Sequence, residues 1–351
     1  MMTRFLFGAF IILWSGLPIL QAQGVHFTYF QFAPQSVNPA QIGAFQGTYR
    51  AFGIFRDQFQ GGGVNGFRTF ELSVDAPIIN GFRKQDWIGV GLSMNVDSRG
   101  VLSLKDTYSR IGASYHFSLD KKQTSVITLG AQLMSVSRRF NAADVRGVTR
   151  FQLENSANNP TDPDIISFQN TGGGGQTGDQ NPRASFSDWV GGLSYTNKGK
   201  NNTFTVGFAL SGFLNANTSF KGFEDAPAKY SLFGQYVAKI NKKMTIEPAF
   251  FTQFRRDASE ITANTMLGMK IKEDSDTVLK LGLGARTGTF SGQFLAGFEH
   301  NGWKAGVSFD LPVDGYAKAP GLDNSFEICI GYLGIIKKKP KLTPVMVCPR
   351  L

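Results

Sequence analysis

Stretches of roughly ten residues alternate apolar side chains with small or polar ones, a length suited to a strand that crosses a bilayer. In Ile88–Asp97, residues Ile88, Val90, Leu92, Met94 and Val96 fall on one face, and Gly89, Gly91, Ser93, Asn95 and Asp97 on the other. Leu279–Arg286 and Trp303–Leu311 repeat the pattern. Successive side chains of a strand point to opposite faces, so each stretch has one greasy side and one wet side. Strand candidates fall at 47–57, 66–76, 86–98, 106–118, 124–138, 185–196, 203–213, 228–240, 243–256, 258–271, 277–287, 289–299, 302–311 and 324–336. Many strands of this kind predict an all-β, antiparallel transmembrane barrel of about fourteen strands, apolar outside and polar inside. Pro248 falls within the ninth candidate, where a missing N–H predicts a bulge or a break.

The connections alternate in length. If the first strand runs outward, 77–85, 119–123, 197–202, 241–242, 272–276 and 300–301 become short periplasmic turns. The opposite connections include 58–65, 139–184, 214–227 and 312–323, which are longer and rich in Gly, Pro and Asn. Short periplasmic turns with longer extracellular loops are the habit of outer-membrane barrels. The 139–184 segment is the longest and is expected to be a functional extracellular loop.

The ends of the chain complete the expected organisation. Residues 1–22 read as a signal peptide: Arg4 precedes an apolar run from Phe5 to Leu20, and Ala22 offers a cleavage point. Residues 23–46 form a lead segment without a clear period, expected in the periplasm. The barrel then covers 47–336, and a basic tail, 337–351, returns to the periplasm. No later run reaches the length of a membrane helix, so membrane residence rests on the barrel.

Composition narrows the function more by exclusion than by assertion. The net charge is +10, scattered apart from Lys337, Lys338, Lys339 and Lys341, and no nucleic-acid-binding motif accompanies it. His26, His116 and His300 are far apart and form no metal-spaced cluster. Gly172–Gly175 is not followed by the Lys-Ser/Thr of a phosphate loop, and no Gly-x-Ser-x-Gly elbow occurs. No catalytic residue, cofactor or metal is therefore expected. Glu71, Asp75, Asp97, Lys280, Arg286, Lys304, Asp310 and Glu327 occupy the polar phase of their strands, where they can pair across a lumen. The two cysteines, Cys329 and Cys348, make no disulfide framework.

An ordered set of short motifs adds a family resemblance. Phe27-Thr28-Tyr29-Phe30-Gln31-Phe32-Ala33-Pro34, then Asn38-Pro39-Ala40 and Gly43, resemble the lead motif of the PorP/SprF family of type IX secretion and gliding-motility membrane proteins. Gly47-Thr48-Tyr49-Arg50 and Phe55-Arg56-Asp57-Gln58-Phe59 continue the likeness, with Phe59 where the family has Trp. Asp86-Trp87-Ile88-Gly89-Val90-Gly91-Leu92 with Asp97 and Gly100, Ser114-Tyr115-His116, and the tail Cys348-Pro349-Arg350 follow in order. The resemblance implies an outer-membrane protein of a Bacteroidota-type bacterium without enzymatic activity. It implies partners among type IX secretion components, and a secreted adhesin or its C-terminal secretion domain, besides the surrounding lipid. It marks Asn38, Pro39, Arg56, Asp57, Trp87, Asp97, Cys348, Pro349 and Arg350 as motif or partner-contact candidates. The charged, glycine-rich lumen also admits a second reading, a diffusion channel or small-molecule transporter. A soluble secreted sandwich is disfavoured by alternation over so many strands.

Overall fold

Fourteen antiparallel strands close into one barrel in chain order, with β1 pairing to β14. The computed structural model describes residues 27–58, 67–80, 82–99, 104–139, 183–212, 228–255, 258–273, 275–287, 291–313 and 324–336. The expected signal peptide, most of the 139–184 loop, the basic tail, His26 and Cys348-Pro349-Arg350 lie outside the described residues. The strands are β1 Tyr49–Gln58, β2 Phe67–Asn80, β3 Trp87–Arg99, β4 Leu104–Ser118, β5 Ser125–Arg139, β6 Arg183–Lys198 and β7 Asn202–Ser211. They continue with β8 Lys229–Lys239, β9 Met244–Arg255, β10 Ala258–Lys270, β11 Val278–Arg286, β12 Ser291–His300, β13 Trp303–Pro312 and β14 Ser325–Gly334. Closure leaves no sheet edge with unpaired N–H and C=O groups, which is what a bilayer demands of a β-protein. Among the described residues no helix is long and apolar enough to cross a membrane.

The alternation in the sequence maps directly onto the wall. Leu281 and Leu283 are 60% and 64% exposed on the outer surface, while Gln293 and Ser308 on the next two strands are buried within. At the end of the barrel bearing the short turns, Trp303 packs at a tilt against Tyr332 (4.8 Å between ring centroids), and Tyr332 against Tyr49 (6.0 Å). Amphipathic rings at this level belong to the membrane interface.

Two irregularities differ from expectation. Pro248 sits inside β9 without a bulge, directly opposite Thr265 of β10. The ladder to β8 instead skips Tyr236 and Val237 while keeping its register on both sides, because the N–H that would have paired there is missing. The register shift falls on β2, between Pro77 and Ile79.

The principal correction concerns the lead segment. Residues 27–46 do not hang below the barrel but fold inside it. They make a 3-10 turn at Phe30–Phe32, a single α-helical turn α1 at Pro34–Val37, and a second 3-10 turn at Pro39–Gln41. Phe27, Thr28, Phe30, Ala33, Asn38, Ala40 and Ile42 are all at most 4% exposed. An eight-stranded barrel can fill its interior with its own side chains, but fourteen strands enclose too wide a space. This plug supplies the missing core.

Candidate functional site

The interior is held together at three levels. Deepest lies Thr28. Its N–H donates to Glu327 Oε1 (2.6 Å), and its hydroxyl donates to Asp310 Oδ1 (2.8 Å). The same hydroxyl lies 2.9 Å from Arg286 Nη2, 3.1 Å from Arg56 Nη1 and 3.1 Å from Gln293 Nε2. Its carbonyl accepts from Asn264 Nδ2 (2.9 Å). Arg56, 1% exposed, pairs with Glu327 and with Asp310 (3.0 Å), and donates to Ser325 Oγ (3.0 Å). Arg286 pairs with Glu260 (3.3 Å). These charges stand on β1, β10, β11, β13 and β14, so the network ties the plug across the seam where the barrel closes. Buried charges are tolerable only when paired and hydrogen-bonded in this way.

The middle level uses small residues. Asn38 accepts from Ala40 N (2.8 Å) and donates to the carbonyls of Leu193 (3.2 Å) and Phe208 (2.9 Å). Pro39 presses on Gly130 and Gly192, whose missing side chains leave room for the plug backbone. Gln35 lies over Gly91 and donates to the carbonyls of Val74 (3.0 Å) and Leu92 (3.1 Å), while Ser36 donates to Glu71 (2.7 Å).

At the short-turn rim the plug turns back into β1. Gly43, with φ +67°, donates its N–H to Asp75 (2.7 Å) and accepts from Trp87 Nε1 (2.9 Å). Arg50 grips Asp75 with two nitrogens (2.9 and 2.7 Å) and donates to Gln41 O (2.8 Å). The indole of Trp87 stacks on His116 at 4.5 Å between ring centroids. His116 in turn lies 2.8 Å from Ile42 O and 2.9 Å from Thr128 Oγ1.

The motif residues therefore divide. Asn38, Pro39, Arg56 and Trp87 converge on the plug. Asp57 pairs at 3.2 Å with the exposed Arg68, and Asp97 accepts from Thr69 (2.8 Å), both on the wall. The charges expected on the polar phase do face inward: Glu71, Asp75, Asp97, Arg286, Asp310 and Glu327 are at most 6% exposed, and Lys280 pairs with Glu247 (2.8 Å) and Glu299 (3.0 Å). Thr28, Gly43 and Arg50 stood in the sequence only as motif positions, not as partner-contact candidates, and Gly130 was missed altogether. The signal for Gly130 was present as glycines and serines concentrated on the inward phase of β3–β6, which make room for a second layer.

A cavity of about 100 Å³ remains on the short-turn side of the plug. Tyr29, Phe32, Phe52 and Met266 line it, with the ladder Glu247–Lys280–Glu299–Lys304 at its margin. Burial pushes the Tyr29 phenol well above its ordinary range, so it stays protonated and donates to Ala296 O (2.8 Å). Among the described residues no group of His, Cys, Asp and Glu is arranged to hold a metal ion.

The family model for the type IX secretion system membrane protein PorP/SprF matches residues 19–332. The chain belongs to the PorP/SprF family. No curated protein matches the sequence. In fold the barrel is similar to the Pseudomonas putida toluene transporter TodX, at a TM-score of 0.52 and 10% identity, covering 89% of this chain and 95% of that one. It is likewise similar to the Ralstonia pickettii toluene transporter TbuX, at a TM-score of 0.51 and 6% identity, covering 87% and 94%. Family and fold together make this PorP/SprF chain an outer-membrane barrel of type IX secretion, with many strands crossing the bilayer.

Proposed function

We propose that this barrel works as a closed, non-enzymatic scaffold that supports secretion or surface anchoring of a secreted adhesin through protein contacts. The observation that carries the reading is the occupied lumen. Nearly every polar group of Thr28 is engaged by the wall, and Arg56, Asp310 and Glu327 are buried around it. A solute path would run through these residues. The short-turn end then faces the periplasm, and the 139–184 connection is extracellular, as is usual for such barrels. That loop is the contact surface for the adhesin or its C-terminal secretion domain, and the opposite end meets other secretion components.

Deleting 145–180 tests the reading. Loss of adhesin from the cell surface, with the barrel still assembled, is the expected result. Undiminished surface adhesin would remove the loop's role.

A second reading, a channel for small molecules, draws on the fold shared with toluene transporters and on the cavity beside Tyr29. It requires the plug to move. Conductance or solute flux through the intact protein in planar bilayers would favour it.

A further inference from the structure

The short-turn end carries a run of lysines whose orientation differs from that of a lipid anchor. The turns β6–β7, β8–β9 and β10–β11 are neighbours around the wall. Lys198, Lys239 and Lys270 end β6, β8 and β10 on the same phase as the buried inward residues Ser194, Phe233 and Met266. The residues after Lys239 and Lys270 on the outward phase, Ile240 and Ile271, are apolar and 55% and 58% exposed, while Gly199 follows Lys198. In the β8–β9 and β10–β11 hairpins isoleucine meets the bilayer while lysine meets the mouth of the lumen. Lys200, Lys242, Lys243 and Lys272 add exposed charge at the turn tips.

The seven lysines of this arc outnumber its turn carboxylates, Glu273, Asp274 and Asp276, which all lie on the β10–β11 turn. Lys242 approaches Glu273 only at 3.9 Å, with both side chains largely exposed, and Lys270 reaches only the backbone carbonyl of Glu273 (3.4 Å). Elsewhere on the rim the charge is sparser: Arg83 is bound to Asp86 (2.9 Å), Lys84, Lys121 and Lys122 stand on the β2–β3 and β4–β5 turns, and the β12–β13 turn, Asn301-Gly302, is uncharged. Successive turns lie two strand spacings apart, about 10 Å, close to the screening length at physiological salt, so their potentials overlap. Lysine on the lumen side of an interface cannot settle onto phosphates in the surrounding leaflet without turning back across the wall.

We infer that the short-turn mouth from β6 to β11 is a docking surface for an acidic polypeptide segment of a periplasmic partner. The inference deepens the scaffold reading and rests on its orientation of the barrel.

The test uses the full chain in nanodiscs of phosphatidylcholine, with a fluorescent poly-glutamate peptide as probe. Binding that weakens as salt rises is expected. Changing the inward set together, Lys198→Gln, Lys239→Gln and Lys270→Gln, should weaken it by about tenfold or more. A variant with Lys84→Gln, Lys121→Gln and Lys122→Gln, which removes as many charges from the adjoining turns but none from the inward phase, should weaken it clearly less than the inward set does. Lys198 is partly buried and the other five side chains are exposed, and heat-modifiable migration verifies that both variants are folded. Equal weakening by the two variants would reduce the arc to diffuse attraction and overturn the proposal. So would failure of the native protein to bind, or selective enrichment of phosphatidylglycerol that the inward set abolishes while the peptide stays unbound. The readout involves no secreted adhesin, so its failure leaves the loop-deletion result standing on its own.

Discussion

Gly43 and Gly89 meet backbone to backbone where the plug leaves the lumen. A Cβ on Gly43 would stand 2.7 Å from Gly89 Cα, and one on Gly89 would stand 2.5 Å from Ile42 O. Neither neighbour is a flexible side-chain tip, and Gly43 also needs its positive φ. Gly89→Val is expected to push the plug off the wall at a cost of about 1–3 kcal/mol. Limited proteolysis of the assembled barrel, cutting within 27–46 in the variant but not in the parent, checks this.

Arg56 is the cation shared by Asp310 and Glu327. Arg56→Met would leave two buried carboxylates with one fewer partner. The expected loss is about 3–5 kcal/mol, the usual cost of removing one member of a buried ion pair. Thr28→Val keeps the ion pairs and should cost less, about 1–3 kcal/mol, through unsatisfied hydrogen bonds. Unfolding midpoints in urea, compared between the two variants, give the ordering.

The plug is the barrier to flow in the scaffold reading. Deleting 27–44 should turn a silent barrel into one with discrete openings in planar bilayers, because fourteen strands alone enclose open space. Silence in the deletion variant, once its assembly is verified, would mean that another segment closes the lumen.

Much of this architecture was legible as alternation. Ile88–Asp97 announces which side chains face lipid, and β3 places them so. What could not be read was the plug, because 27–46 has no period: its shape comes from Pro34, Pro39 and the wall, not from a repeating face. Asn38 and Pro39 stood out as motif residues, yet their role depends on Gly192 and Leu193, more than 150 positions away. Glu327 was visible as an inward charge, but its union with Thr28 exists only once the barrel closes. Pro248 misled because a bulge is one remedy for a missing N–H and a skipped ladder is another.

Asp120 organises the β4–β5 turn and offers a pH test outside the spanning strands. Its carboxylate accepts from the N–H of Ser125 (2.8 Å), from the Thr124 hydroxyl (2.9 Å) and from the Thr124 N–H (2.9 Å), which holds its pKa below the ordinary 3.8. A depressed folded-state pKa means that the unfolded turn binds the proton first. The stabilisation is therefore complete above about pH 4 and is lost as pH falls through the lowered value. Amide protection factors at Thr124 and Ser125, taken relative to the intrinsic exchange rate at each pH, should fall on acidification, and Asp120→Ala should abolish that extra acid sensitivity.

Leu283 faces the hydrocarbon and is 64% exposed. Leu283→Arg should destabilise the barrel by about 2–4 kcal/mol if the residue lies near the midplane, and less toward either interface. Folding equilibria in lipid vesicles measure the penalty and thereby the depth at which the barrel sits.

Thr28 is bound to Glu327, 299 positions later in the chain. The first described segment of the chain is thus clasped by its last strand. Biogenesis must keep the leading residues waiting until β14 zips onto β1, so a stalled intermediate would present an unfilled, charge-lined trough to the periplasm. The clasp on Thr28 is complete only when β14 has paired with β1, so seating of the plug reports that the wall has closed.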